Sequence, residues 1–218
     1  MHGWFGKIDF IVHHRRQSVK KIFDCREKVV LRFSPVFCIL KINSSALKLS
    51  SIIYMENVTN SSALFIAEAR RHLMQEYLSW LRACLNKLSE ADIWWRPNAK
   101  SNSAGNLILH LCGNIRQWVI HGVGGAVDAR DRPAEFAARE SCSKAELLQK
   151  LESTLAEVDA VLANLQLEKL TEPRVIQGFS ITVLSAIFHV VEHFSYHTGQ
   201  IIYITKMRTG EDLKFWNV

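Results

Sequence analysis

The sequence predicts an all-α protein, a four-helix bundle with a long crossover connection between its second and third helices. Three observations predict it. Four segments repeat apolar residues at three- and four-residue steps, capping residues or helix breakers bound each segment, and about 20 residues separate the second from the third. Of the 218 residues, 48% are hydrophobic, enough to bury a core.

The first helix is predicted over about 62–89, because Leu73, Tyr77, Leu81, Cys84 and Leu88 fall on one stripe, with Arg70, Arg71, Gln75 and Arg82 on other faces. Trp94-Trp95-Arg96-Pro97 then breaks the helix, since proline removes a backbone donor. Ser101 or Ser103 caps a second helix over roughly 103–121, with Leu107, Leu111, Ile115 and Trp118 on its apolar face, and Gly122-Val-Gly-Gly125 ends it. The connector that follows carries Asp128, Arg130, Asp131, Arg132 and Pro133. Ser143-Lys-Ala-Glu146 is a capping-box pattern, and it opens the third and most regular helix, through Leu147, Leu151, Leu155, Val158, Leu162 and Leu165. After Pro173 and Gly178, Ser180 or Thr182 caps a fourth helix that runs to about Arg208, with Ile187, Val191, Phe194 and Ile201 toward the core.

Residues 1–54 keep neither a helical nor a strand period. They hold ten Lys or Arg against three Asp or Glu, so the formal charge of +6 sits at the front and the rest of the chain is close to neutral. The predicted organisation is therefore a basic N-terminal extension over 1–54, poorly ordered or an over-called start ahead of Met55, followed by a bundle domain over 55–218. A basic arm for nucleic acid or lipid is the rival reading of that charge. It has no recognised nucleic-acid motif behind it, so no nucleic-acid partner is expected. The apolar run Val29 to Ile42 is broken by Arg32 and Pro35 and is too short to span a bilayer, so no membrane association is expected. Five cysteines without a C-x-x-C pair fit a reducing cytoplasm.

Six of the nine histidines follow Met55, and three of those, His189, His193 and His197, stand four residues apart on the fourth helix. Imidazoles one turn apart on a helix face can converge on one divalent ion. A further ligand must come from another helix, and His110, beside Leu107 and Leu111, is the best placed. Isolated histidines are more often surface or hydrogen-bonded core residues, as His72 and His121 are expected to be. Cys112 lies about 200° round the helix from His110, facing away, and is expected in the core. Glu192 and Gln200 are candidates for orienting the imidazoles, and Asn114 sits one turn from His110. Tyr196, Glu192 and Asn114 are the nearest candidates for proton transfer, and Gly199 is expected to let a neighbouring helix approach closely.

Three stretches, Trp95-Arg96-Pro97, Asn106-Leu-Ile-Leu-His110-Leu and Glu192-His193-Phe-Ser-Tyr-His197-Thr-Gly-Gln200-Ile, resemble the DinB-like superfamily over about 62–208. The resemblance implies a four-helix bundle, frequent homodimers, and a histidine triad that binds metal through His110, His193 and His197. It leaves His189 as an extra, in a surrounding or packing role like those already read for Asn114, Glu192 and Gln200. Characterised members of that superfamily include metal-dependent enzymes that use a low-molecular-weight thiol for S-transfer or isomerisation.

Three neutral imidazoles leave a zinc, nickel or iron ion with an open position, the arrangement of a catalytic site. The expected function is a thiol-dependent transferase acting on a small-molecule substrate. The alternatives are a metal-dependent hydrolase that activates water and a non-catalytic metal-binding or stress-related interaction module.

Overall fold

The computed structural model describes the backbone of residues 21–24, 28–33, 36–41 and 44–215, and side chains chiefly from 60 to 215. The chain divides into two units, Met1–Asn57 and Val58–Val218.

In the first unit, residues rich in Val, Ile, Leu and Phe form strands β1 (Lys21–Asp24), β2 (Lys28–Phe33) and β3 (Val36–Lys41). They make an antiparallel sheet in chain order, with Val30 opposite Ile22 on one side and Ile39 on the other. This differs from the absence of any strand period read for residues 1–54. The alternation there is blurred by apolar residues on consecutive positions, which hides a strand from pattern reading. Residues 1–20 of the expected extension lie outside the described ones.

Helix α1 (Ser44–Arg70) continues through a wide π-helical stretch, Arg71–Tyr77, into α2 (Leu78–Lys87). The predicted stripe of Leu73, Tyr77, Leu81, Cys84 and Leu88 is buried along this length. A short α3 (Glu90–Trp94), capped by Ser89 and Asp92, leads into the Trp-Arg-Pro connector. Helix α4 (Ala104–Ile115) runs into a second π-helical stretch, Arg116–His121, which ends at Gly122. Helix α6 (Lys144–Ala163) starts at the Ser143/Glu146 capping box, and α7 (Val183–Thr209) starts at Thr182 and stops at Gly210 in the left-handed conformation.

Helices α6 and α7 each pack against both α2 and α4, so the four long helices enclose one apolar core. Leu111, Ile115, Leu151, Val158, Ile187 and Phe194 are among its fully buried residues. The fold is mostly helical, as predicted, and two short elements that the sequence reading passed over matter for the site. Within the crossover, Asp131 caps α5 (Arg132–Ala137), with proline in the first turn, and α5 packs on α4. Before α7, β4 (Pro173–Ile176) and β5 (Phe179–Thr182) form a hairpin closed by Gln177 and Gly178 at φ of 52° and 81°. Gly122 lets that hairpin approach, because a Cβ there would lie 2.3 Å from Ile176 Cδ1.

No helix of the described residues is long and apolar enough to cross a membrane.

Candidate metal centre

Ser103 caps α4 in a reciprocal box with Asn106, which is wholly buried. The rest of the Asn106 amide faces the crossover. Its Nδ2 donates to the main-chain oxygens of Glu135, at 2.9 Å, and Ala138, at 3.0 Å. Arg96 of the Trp-Arg-Pro connector donates to Asn106 Oδ1 and, at 3.1 Å, to the Phe136 oxygen. Two of the recognisable sequence stretches thus pin α5 against α4, which fixes where the Glu135 side chain goes.

One turn after Asn106, His110 projects into the bundle with only 4% of its surface exposed. There it meets His193 and His197 of α7, and ligand-capable atoms from all three lie within 4.8 Å of one another. The Nε2 atoms of His110 and His193 face each other at 2.9 Å. Ring centroids are 4.9 Å apart for His110 and His197 and 4.5 Å for His193 and His197, with near-perpendicular planes in both pairs.

The partners of the opposite ring nitrogens decide what the cluster presents. His110 Nδ1 lies 2.9 Å from Glu135 Oε2, and His197 Nδ1 lies 2.8 Å from Gln200 Oε1. Both partners are acceptors, so each Nδ1 carries the proton in the neutral ring and each Nε2 is left with a lone pair. Two nitrogens on one zinc-sized ion, each about 2.0–2.1 Å from it, stand roughly 3.3 Å apart at a tetrahedral angle. The His110–His193 pair needs to open by only a few tenths of an ångström, and a ring nitrogen of His197 lies within 4.8 Å of both, so three neutral imidazoles stand within a small adjustment of one divalent ion.

Glu135 is itself held from behind. Arg130 donates through Nε to Oε1 at 2.7 Å and through Nη2 to Oε2 at 2.9 Å, in a bidentate pair whose side chains are almost fully buried. Arg130 Nη2 also lies 3.2 Å from His110 Nδ1, where two donors converge on the same carboxylate oxygen. Burial alone would raise the Glu135 pKa, but the hydrogen bonds from Arg130 and His110 outweigh it and hold the carboxyl below its ordinary value. Gly113 makes room for this arrangement, since a Cβ there would lie 1.8 Å from Glu135 Oε1.

Burial, reinforced by the neighbouring imidazoles and Arg130, pushes His193 down to about 3. Burial also lowers His197, against the opposing effect of its bond to Gln200, and it lowers His189. Imidazoles that resist protonation are the form a metal requires.

The remaining candidates divide. Gln200 touches His197 as expected of an orienting residue, whereas Glu192 is exposed and hydrogen-bonds none of the three histidines among the described residues. The His189 ring packs at a tilt against Trp118, with centroids 4.1 Å apart, and lies 5.4 Å from the His193 ring, outside the cluster. Asn114 is buried, with an Oδ1 that has no hydrogen-bond partner. Tyr196 is exposed, with its ring 5.0 Å from that of His197. His72 and His121 lie elsewhere: His72 Nδ1 is 3.1 Å from Glu76, and His121 bonds the Ala126 carbonyl. Cys112 is buried away from the cluster, its thiol pushed up to about 12 by burial. Gly199 corrects its expectation, because a Cβ there would meet nothing within 4 Å among the described residues, so no helix of this chain packs closely on it. Its place on the outer face of α7 leaves it exposed.

Glu135 and Arg130 were passed over in the sequence because they lie in the connector. The signal available was Asp131-Arg-Pro133, an N-cap followed by a first-turn proline, which marks a helix and so a rigid carrier for Glu135.

A cavity of about 410 Å³ opens beside His193, walled by the hairpin, by the second π-helical stretch and by the start of α5.

Comparison with known proteins places these features. Residues 60–218 match the family model described as "Protein of unknown function (DUF1572)". Among solved structures, a DinB-like protein from Bacillus cereus superposes with a TM-score of 0.51 at 13% identity, covering 63% of this chain and 88% of that one. A DinB-like protein from Bacillus subtilis gives 0.50 at 18% identity over 66% and 93% of the two chains. A conserved protein from Enterococcus faecalis gives 0.51 at 15% identity over 70% and 98%. These likenesses establish a DinB-like fold. No curated protein matches the chain.

Proposed function

The chain belongs to the DUF1572 family of proteins of unknown function, and on that premise we propose that it binds one divalent ion through His110, His193 and His197 and uses it as a thiol-dependent transferase on a small molecule. The observation behind this reading is the convergence of three imidazoles of which two have their outer nitrogen fixed by an acceptor. A closed structural site takes four protein ligands, and three leave a position for an exogenous group. No fourth His, Cys, Asp or Glu joins the cluster among the described residues.

An ion held there supplies positive charge that favours the deprotonated form of a small thiol at neutral pH. The chain's own residues set the stage. Glu135, clamped by Arg130, keeps the His110 ring in one tautomer and orientation, and Gln200 does the same for His197. The cavity beside His193 admits the substrate. In the transfer, the thiolate sulfur would form a bond to an electrophilic carbon, the leaving group would depart with the electron pair, and the proton released when the thiol ionised would balance the charge of the departing group.

The free state of Cys84, Cys112 and Cys142 is in keeping with a cytoplasmic setting. The homodimer implied by the resemblance has a ready surface in the outer face of α7, where Phe188, Tyr196, Tyr203 and Met207 are exposed. Light scattering on the full chain tests it.

Cobalt substitution tests the function. Visible absorption bands that shift when cysteine or glutathione is added, and that His193→Ala abolishes, are expected. A spectrum indifferent to thiols, with metal removal lowering only the melting temperature, would leave a metal that merely ties α4 to α7.

A further inference from the structure

The cavity beside His193 has a chemical character of its own. Arg130 and Arg132 line it, and no carboxylate does. The charge of Arg130 is already matched, because its Nε and Nη2 bond Glu135, and its Nη1 bonds Gln117. Arg132 is different. It lies over the Phe136 ring at 5.1 Å and has no carboxylate partner among the described residues.

Two buried polar groups on the same lining also lack partners. Trp118 is 6% exposed, and its Nε1–H finds no acceptor among the described residues. An indole N–H can only donate, and leaving a buried donor unmade is costly. Asn114 Oδ1 is likewise buried and unpaired, and the amide turned the other way presents N–H2 at the same place. A free cation and an unmatched donor, with an amide able to donate, call for an acceptor-rich, negatively charged group. Phe179 and Ile181 of the hairpin, with the Trp118 ring, give the remaining wall an apolar surface.

We propose that this cavity binds the carboxylate of an aromatic or similarly apolar organic acid, with Arg132 as counter-charge, Trp118 Nε1–H and Asn114 as hydrogen-bonding partners, and Phe179 against the apolar body. The assignment rests on the metal reading for its catalytic meaning, since it makes that acid the transferase substrate. Its binding chemistry does not require the ion. The hairpin is then the specificity element, because it supplies the apolar wall while α4 and α5 supply the polar one. It is also tied to the metal support, since Gln177 at its turn bonds Gln117, which accepts from Arg130.

The test is titration of the full chain with benzoate and with benzamide, its neutral counterpart of similar shape, followed by NMR shifts on metal-free and zinc-loaded protein. Benzoate is expected to bind about tenfold or more tightly than benzamide in both forms, as a hydrogen-bonded charge should. Arg132→Gln should remove most of that preference and leave benzamide binding unchanged, whereas Trp118→Phe, which loses a donor and part of the apolar wall, should weaken both probes and benzoate the more. Arg132 is exposed, so its variant folds irrespective of what the Trp118 variant does. Equal affinities for the two probes, or a preference untouched by Arg132→Gln, overturns the proposal. Carboxylate preference in a protein that takes up no zinc supports this assignment and overturns the metal reading; zinc uptake without the preference does the reverse.

Discussion

The Glu135 carboxylate sits 2.9 Å from Nδ1 of His110 and is gripped on its other side by Arg130, so a residue of the crossover sets the tautomer of a histidine on α4. Glu135→Gln keeps the shape and removes the charge. Zinc affinity should fall by about 10–100-fold, as for other groups that orient a ligand. Stability should fall by about 3–5 kcal/mol, because the buried Arg130 is left without its counter-ion. Competition titration and thermal melts read the two effects, and unchanged zinc affinity would separate Glu135 from the site.

Gly113 and Gly199 make a matched pair of alanine substitutions. At Gly113 the new methyl would strike Glu135 Oε1, so Gly113→Ala should displace the carboxylate, weaken metal binding and cost about 1–3 kcal/mol. At Gly199, inside α7, nothing lies within 4 Å. Gly199→Ala should therefore stabilise the helix by about 0.4–1 kcal/mol. Denaturant unfolding of both variants checks the opposite signs.

This pair also shows what the sequence discloses. The buried faces of the four long helices follow from apolar spacing, and so does the His193–His197 alignment, because both depend on one helix period. That His110 meets them depends on how α4 packs on α7; its place beside the buried Leu107 and Leu111 makes it the best-placed partner, and the resemblance to DinB-like proteins implies the same residue. Glu135 and Arg130 were hidden because the connector reads as charged and irregular, while α5 is only Arg132–Ala137, too short to show a period. The hairpin was hidden because its turn, Gln177-Gly178, lacks the usual asparagine or aspartate before glycine. Gly199 was misjudged because a glycine inside a helix looks the same whether it faces a neighbour or open space.

The pH dependence of the metal-free protein follows from the lowered histidines. The ordinary value is 6.5, and folding takes His193 to about 3 and also lowers His189 and His197. Below pH 6.5 the unfolded chain binds protons that the folded chain refuses, so stability is greatest above that pH and falls as pH drops toward 3. Between pH 6.5 and about 4.5 the histidines dominate, before the carboxylates join. Melting temperatures across that window should fall, and His193→Gln should flatten the decline. A profile as steep in that variant as in the parent would show that His193 titrates normally.

Cys112 offers a control on ligand identity. Its thiol is buried and pushed up to about 12, so it should resist alkylation in the native state while the partly exposed Cys142 reacts. Cys112→Ala should retain full metal content. Loss of metal in that variant would place Cys112 among the ligands.

The central claim is that His110, His193 and His197 hold one divalent ion. Elemental analysis of the untagged full chain, beside a His193→Ala, His197→Ala double variant purified the same way, tests it most directly. About one equivalent of metal in the parent and almost none in the variant is the predicted result. Equal metal content in the two proteins would contradict it.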